Sequence, residues 1–485
     1  MPLKNFRKFF RSVSSVDGSV RTNVIRSGIW VGAAEIVMAV LSVGRSVALA
    51  RLLTPEMFGL MGLCSIVIRA IETFTRPGIG QALIQRQASF EEARDTAFTL
   101  LLARGIMLGM FLAAAAPLIA WFYEAAELET MLQVLSAIFL IGGFVNINTI
   151  AKQKNLDFRS ITYLDQVTAL LGTIVTVSVA FWLRNVWALV IGQLVTAATY
   201  TLLSYYFVSG KPRLTINWKI ARELLSYGKF ITASSIVLFI ATELDTAVIG
   251  KLLGTEQLGY YVLAFTIANL VTTNISKVVS KVMMPAYSKL QSDGPALRRA
   301  YLRTLSFVML MVLPAAIGTV VIASPLVRVI YGEIWEQAIV PLQVLAIFGL
   351  VRALASFNGY LFEGIGRPDV ALRLALLRLA VIAPLIIPMI NAYGLRGAAV
   401  TVTIGIAVQW GAGLAHLARI VHIGLTDLFV VMVKPLWKSG LMGVGVYALT
   451  ISIDQMSVGS VAAAIIAGIS IYGVLNIQEI KQFVR

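Results

Sequence analysis

Cysteine occurs once in the 485 residues, at Cys64, and histidine twice, at His416 and His422. A lone thiol excludes disulfides within the chain, and so few soft ligands exclude a cysteine-based metal site and argue against histidine-dependent catalysis. Charge is scarce too: 13% of residues are charged against 58% hydrophobic, with a mean hydropathy of +0.84. That is more apolar surface than a water-soluble core can use, and it places the chain in the membrane class. No Walker-type phosphate loop is present, so ATP hydrolysis is not expected. The glycines of "FEGIGRPDV" follow no strand, and Gly364 and Gly366 read as the turn ending a membrane span. The net charge of +16 and pI near 10.0 do not point to nucleic acid, because the basic residues stand singly or in small groups between apolar runs.

What is present is one phrase written twice. "ARLLTPEMFGLMG" opens at Ala50 and "GKLLGTEQLGYYV" at Gly250, so that Leu52, Leu53, Glu56 and Gly59 align without gaps on Leu252, Leu253, Glu256 and Gly259. Arg51 answers Lys251, and Gly28 and Trp30 answer Gly228 and Phe230. Such a repeat predicts two related halves. The basic start, apolar run and triplet Ala48, Leu49, Ala50 resemble a signal peptide, but the run holds Glu35 and Arg45, and residues 228–250 copy it where no signal peptidase would act.

A bilayer core of about 30 Å needs about 20 apolar residues per helix. On that ruler spans fall near 28–50, 58–82, 97–123, 130–150, 162–183 and 187–208, then near 228–250, 259–284, 304–329, 338–362, 371–391 and 398–419, with two more near 437–454 and 459–477. The expected fold is an all-α polytopic membrane protein of about 14 helices. Its expected divisions are a basic lead-in (1–27), a six-helix bundle (28–210), an amphipathic linker (211–227), a second six-helix bundle (228–420) and two additional helices (421–485). Roughly two dozen Lys and Arg fall on the side of the N-terminus, including the loops at Lys152, Lys211 and Arg298, against about five on the other, which puts both termini in the cytoplasm. Every outer loop is short. In the linker, Ile220, Leu224 and Tyr227 share a face, as in an interfacial helix; an ordinary basic loop is the alternative.

Charges inside the spans carry the functional signal, since each costs on the order of 2.5–3.5 kcal/mol at mid-bilayer and must face protein or water. Arg69, Glu72 and Arg76 form one stripe on one helix face. The stripe is either a self-neutralising packing set or the wall of a polar cavity. Glu35, Arg45, Arg104, Glu243, Asp245 and Arg352 lie in other spans. An excess of buried guanidinium suits an anionic phosphate or carboxylate ligand, which makes Arg69, Arg76, Arg104 and Arg352 candidate substrate contacts. For Arg104 and Arg352, snorkelling or a helix contact explains the charge equally well. Glu35, Arg45, Glu72, Glu243 and Asp245 are candidate gating or coupling residues. The repeat superposes Arg45 on Asp245, and those two either pair when one face of the cavity closes or are each satisfied inside their own half.

The segments "ALARLLTPEMFGLMGL", "GIGQALIQRQ", "AKQKNLDFRSITYLDQ", "LDTAVIGKLLGTEQLGYYVLA" and "LFEGIGRPDVALRLALLR" resemble, in order and spacing over nearly the whole chain, the bacterial polysaccharide repeat-unit flippases of the Wzx type, within the multidrug, oligosaccharidyl-lipid and polysaccharide transporter superfamily. The resemblance implies two six-helix bundles around a central cavity, often with two further C-terminal helices. It implies a non-enzymatic transporter of the bacterial inner membrane that moves a polyprenyl-pyrophosphate-linked glycan by alternating access for exopolysaccharide, capsule or lipopolysaccharide assembly. Its expected partners are membrane lipids and polysaccharide polymerase or export machinery, with no nucleic acid. No cofactor or metal is implied; a coupling ion, Na+ or H+, is an open expectation. Related sequences place an acid before the glycines of the second span where this one has Arg76 in "TRPGIG", so coupling and substrate preference do not carry over at that position. A multidrug antiporter of the same superfamily is the alternative, although it is expected to present an acid-rich site. A polysaccharide polymerase or glycosyltransferase would need a large outer loop, and a scaffold would need no buried charge.

Overall fold

The structure, a computed structural model, describes residues 37–75, 78–86, 89–154, 157–227, 229–453 and 457–477. Where no water reaches the backbone, apolar segments satisfy their own peptide groups by coiling into helices. Among the described residues no strand occurs, and ten helices are long and apolar enough to cross a bilayer. In the N-terminal half these are α2 (Pro55–Phe74), α4 (Phe90–Tyr123), α5 and α6 in series (Ala126–Leu135, Ala137–Gly143), α8 (Phe158–Leu183) and α9 (Trp187–Phe207); they follow α1 (37–52) and are joined by α3 (Ile79–Gln85) and α7 (Asn148–Lys154). The C-terminal half has α11 (Lys229–Leu252), α12 (Gly254–Leu290), α13 (Gly294–Pro325), a π turn over Leu326–Tyr331, a 3-10 turn over Glu333–Ala338, α14 (Ile339–Gly364) and α15 (Pro368–Val421). Helices α16 (Leu425–Ile451) and α17 (Val458–Leu475) pack on α13.

Sequence punctuation sets these ends. Pro55 opens α2 behind Thr54, and the Asp293 carboxylate accepts from the Ala296 N–H at 2.9 Å to start α13. Gly394, at φ 57° and ψ −137°, breaks α15 into two antiparallel arms; at Gly397 a Cβ would sit 1.9 Å from the Met389 carbonyl oxygen, so only glycine permits the tight return. The two arms occupy the spans expected near 371–391 and 398–419. The turn expected at Gly364 and Gly366 is present, with Gly366 at φ +75°. Apolar side chains such as Phe111, Leu118, Trp182 and Val444 are left on the outside, where lipid replaces water.

The linker takes the helical one of the two sequence readings, with its apolar face covered by protein. It forms a helix, α10 (Trp218–Tyr227), but Ile220 and Leu224 are buried against Ile79, Leu83 and Phe98 of the N-terminal half rather than turned to lipid. An apolar helix face is the same signal whether protein or bilayer covers it. The strand of chain before α10 is strapped to α4: the Arg213 N–H donates to Asp95 Oδ1 at 3.2 Å, Thr215 N–H to Thr99 Oγ1 at 3.1 Å and Asn217 N–H to Thr96 Oγ1 at 3.1 Å.

The halves meet chiefly where α2 packs on α12 and α11. One continuous core there joins Leu53, Leu60 and Leu63 to Leu258, Tyr261 and Ala264, with Trp335 fully buried among them. This is the end of the molecule that carries the doubled phrase. Lys251 reaches across it to Glu124 at 2.6 Å and holds that carboxyl below its ordinary value.

Candidate functional site

Helix α2 presents Arg69 to α11, where Arg69 Nη2 donates to Glu243 Oε2 at 2.9 Å. The pair therefore joins the two halves, and it is the partner sequence periodicity did not name: Arg69 bonds across the molecule, not along its own helix to Glu72. The two side chains keep 49% and 23% exposure. A charged pair with that much open surface sits on two facing helices, where contact with lipid would be costly. Arg76, expected on the same stripe, and Glu35 lie outside the described residues.

Arg104, on α4, donates through Nε to the Thr75 carbonyl at 3.1 Å, and through Nη2 to the Glu72 carbonyl at 3.2 Å and to Thr75 Oγ1 at 3.0 Å. The final carbonyls of a helix have no intrahelical donor and carry the negative end of its dipole. A guanidinium fork is suited to both, so Arg104 serves as the C-terminal cap of α2. Of the readings open for this residue, the helix contact is present in this structure.

Further into the C-terminal half, Asp245 is 4% exposed and accepts from the Tyr261 hydroxyl at 2.5 Å. Its opposing charge is Arg378 of α15, itself 6% exposed, whose guanidinium lies 5.7 Å from the Phe348 ring centroid. Among the described residues Arg378 Nε makes no hydrogen bond. Arg352 of α14 donates to Thr273 Oγ1 at 2.7 Å and to Thr272 Oγ1 at 3.4 Å, close enough to Arg378 for their charges to interact. The expected Arg45–Asp245 pair is not formed in this structure; Arg45 is half-buried on α1, and Asp245 is engaged within its own half. Two residues apart on a helix means a turn of about 200°, and the carboxylates of "ATELDTAV" do face apart, Glu243 to the N-terminal half and Asp245 to Tyr261.

Sequence reasoning passed over Arg378 and Tyr261. The signal for Arg378 was available, since "LALLRLAVIA" sets one arginine in an apolar run just as Arg352 is set. Tyr261 offered none, because a buried tyrosine is ordinary core until its hydroxyl is seen to have a charged partner. A cavity of about 710 Å³ lies apart from these charges, at the doubled-phrase end of the C-terminal half, lined by Gln257, Tyr260, Arg328, Glu333, Tyr393 and Arg396 among others. Among the described residues no group of three or more His, Cys, Asp or Glu is placed to hold a metal ion.

An all-helical, multi-pass membrane fold in two packed halves, with guanidinium and carboxylate groups between and inside them, defines a transporter-like class. Residues 48–340 match the family described as polysaccharide biosynthesis protein, and the chain belongs to that family. It is 28% identical over 424 residues to the lipopolysaccharide biosynthesis protein WzxC of Escherichia coli K12, covering 87% of this chain and 83% of that one. It is 26% identical over 411 residues to the teichuronic acid biosynthesis protein TuaB of Bacillus subtilis 168, covering 84% and 85%. Among solved structures, the lipid II flippase MurJ in an inward closed conformation superposes with a TM-score of 0.73 over 94% of this chain and 100% of its own; at 16% identity this establishes the shared fold.

Proposed function

We propose that this protein is a flippase that carries a polyprenyl-pyrophosphate-linked oligosaccharide repeat unit across a bacterial cytoplasmic membrane, by alternating access of the space between its halves. The family membership and the flippase fold support the transported class. The observation that carries the headgroup is the balance among the span charges singled out above: Arg45, Arg69, Arg104, Arg352 and Arg378 against Glu72, Glu243 and Asp245 among the described residues. Guanidinium binds the paired oxygens of phosphate in bidentate fashion. Arg69 is the accessible member, half-exposed and held by a single carboxylate that a pyrophosphate can displace. Arg352, tethered among the described residues to threonine hydroxyls, is the second. Arg76 stays a candidate from sequence, while Arg104 acts on the headgroup only indirectly, by fixing the end of the helix that bears Arg69.

The basic balance also argues against the cation-coupled multidrug reading, for which carboxylates should prevail. Both termini are assigned to the cytoplasm from the Lys and Arg bias, so the linker and the Arg298 loop are cytoplasmic and the doubled phrase faces out. The test is translocation of a fluorescent polyprenyl-pyrophosphate oligosaccharide in vesicles that hold the purified protein. Wild type should equilibrate the lipid between leaflets, and Arg69→Ala and Arg352→Ala should each slow the rate tenfold or more at unchanged insertion. Normal rates in both variants would remove these arginines from the pathway, and efflux of lipophilic cations with no lipid movement would overturn the flippase reading itself.

A further inference from the structure

The doubled phrase makes a doubled contact. Gly59 and Gly259 stand two hundred residues apart, as do Pro55 and Thr255. A Cβ added to Gly59 would sit 1.7 Å from the Thr255 carbonyl oxygen, and a Cβ added to Gly259 would sit 1.7 Å from the Pro55 carbonyl oxygen. One turn on, a Cβ at Gly62 would lie 3.0 Å from Val262 Cγ2. The first turns of α2 and α12 thus touch backbone to backbone, each glycine receiving the other helix's corresponding carbonyl.

Two arms flank this contact with the same reciprocity. Arg51, at the end of α1, donates through Nε to the Ile330 carbonyl at 2.8 Å and through Nη2 to the Val329 carbonyl, both in the segment that follows α13. Its repeat counterpart Lys251, near the end of α11, donates to Glu124 Oε1 at 2.6 Å, directly after α4. Each half therefore extends the basic residue at the end of its first helix to the segment after the third long helix of the other half. Trp335 fastens the joint: its indole N–H donates to the Ala50 carbonyl at 2.9 Å and its ring meets Phe58 edge-on at 4.9 Å.

We infer that these residues form a reciprocal clasp that seals the outer end of the pathway between the halves, and that opening to the outside parts both glycine contacts and both arms together. The inference rests on the transport reading above. Its physical basis is the kind of contact the repeat supplies. Glycine-to-carbonyl contact fixes one close register for the core shared by Leu53, Leu60, Leu63, Leu258 and Tyr261, so the surfaces part as one unit and not piecemeal. The arms are hydrophilic, with Glu124 81% and Lys251 33% exposed, and water can replace each of their bonds once they part. Two reciprocal attachments at repeat-equivalent positions also make the closed state one registered arrangement instead of a continuum of loose ones. Retention of glycine, a cation and leucines at one offset then has a cause: each half must present the same surface to the other.

Access from outside tests this without any substrate. In a Cys64→Ala background, Thr73→Cys places a reporter one turn beyond Arg69 on the same face of α2. With the clasp intact, a membrane-impermeant maleimide applied outside intact cells should label it slowly. Arg51→Ala combined with Lys251→Ala, and separately Gly59→Val combined with Gly259→Val, should each raise the labelling rate fivefold or more. If the glycine variant does not accumulate, the arm variant still decides. In a second variant, Glu124→Cys with Lys251→Cys joined by a short reducible cross-linker should stop lipid translocation and restore it on reduction. Fast outside labelling with the clasp intact, no change in the arm variant, or normal translocation by the cross-linked protein would each overturn the clasp. Labelling that follows the clasp in a protein that moves no lipid-linked glycan would sustain the clasp and sink the flippase reading.

Discussion

Asp245 and Glu243 show how little of a residue's role is fixed by its type. Glu243 shares open space with Arg69, and a pair that exposed contributes about 0–1 kcal/mol to folding. Asp245 is buried on the Tyr261 hydroxyl with the Arg378 charge nearby, and breaking a buried hydrogen bond of a charged group costs about 1–3 kcal/mol or more. Glu243→Gln should therefore melt close to wild type in detergent, while Asp245→Ala should lose much of its folded protein. The double variant Asp245→Ala with Arg378→Leu should regain most of that loss, because it removes both charges at once. Equal melting of Asp245→Ala and wild type would show that Arg378 draws its compensation from elsewhere. The energetic difference between the two carboxylates predicts a functional one: Glu243 belongs to the moving interface, and Asp245 to the rigid interior of one half.

For single elements, the end of α2 depends on a residue from another helix. Arg104 satisfies two α2 carbonyls and a hydroxyl at once, and leaving such acceptors bare costs about 1–3 kcal/mol. Arg104→Met should accordingly fray the last turn of α2, opening Phe74 and Thr75 to limited proteolysis, and lower the melting temperature; Arg104→Lys should rescue only partly, since an ammonium cannot reproduce the fork. Unchanged proteolysis in Arg104→Met would dismiss the cap. The elements themselves were legible in the sequence, because a long apolar run has few alternatives to a helix, and Gly364 and Gly366 marked an end correctly. What covers a helix face was not. The apolar side of α10 carries the same periodicity against Leu83 and Phe98 as it would against acyl chains. Nor could the stripe reveal that Arg69 pairs with Glu243, 174 residues away, because that partner is chosen by how two halves dock. The repeat was readable as kinship between the halves and not as contact, since only docking brings Gly59 to Thr255 and Gly259 to Pro55.

At the scale of the whole molecule, orientation determines what every other assignment means. If the doubled-phrase end faces out, the clasp closes the pathway to the exterior and a substrate from the cytoplasm enters beside α10 and the ends of α12 and α13. In the reverse orientation the same contacts would bar the cytoplasm. The basic residues support the first, because Lys and Arg in short loops are retained on the cytoplasmic side, and Lys289, Arg298, Arg299 and Arg303 gather where α12 passes into α13. Arg298 there also binds Asp427 at 2.5 Å, which ties the start of α16 to the same side. Two exposed positions report the outcome. In a Cys64→Ala background, Glu56→Cys at the doubled phrase should react with an impermeant thiol reagent added to intact cells, and Gln291→Cys between α12 and α13 should react only after the membrane is opened. Reaction of Gln291→Cys from outside, with Glu56→Cys protected until lysis, would turn the molecule over and make the clasp a cytoplasmic gate.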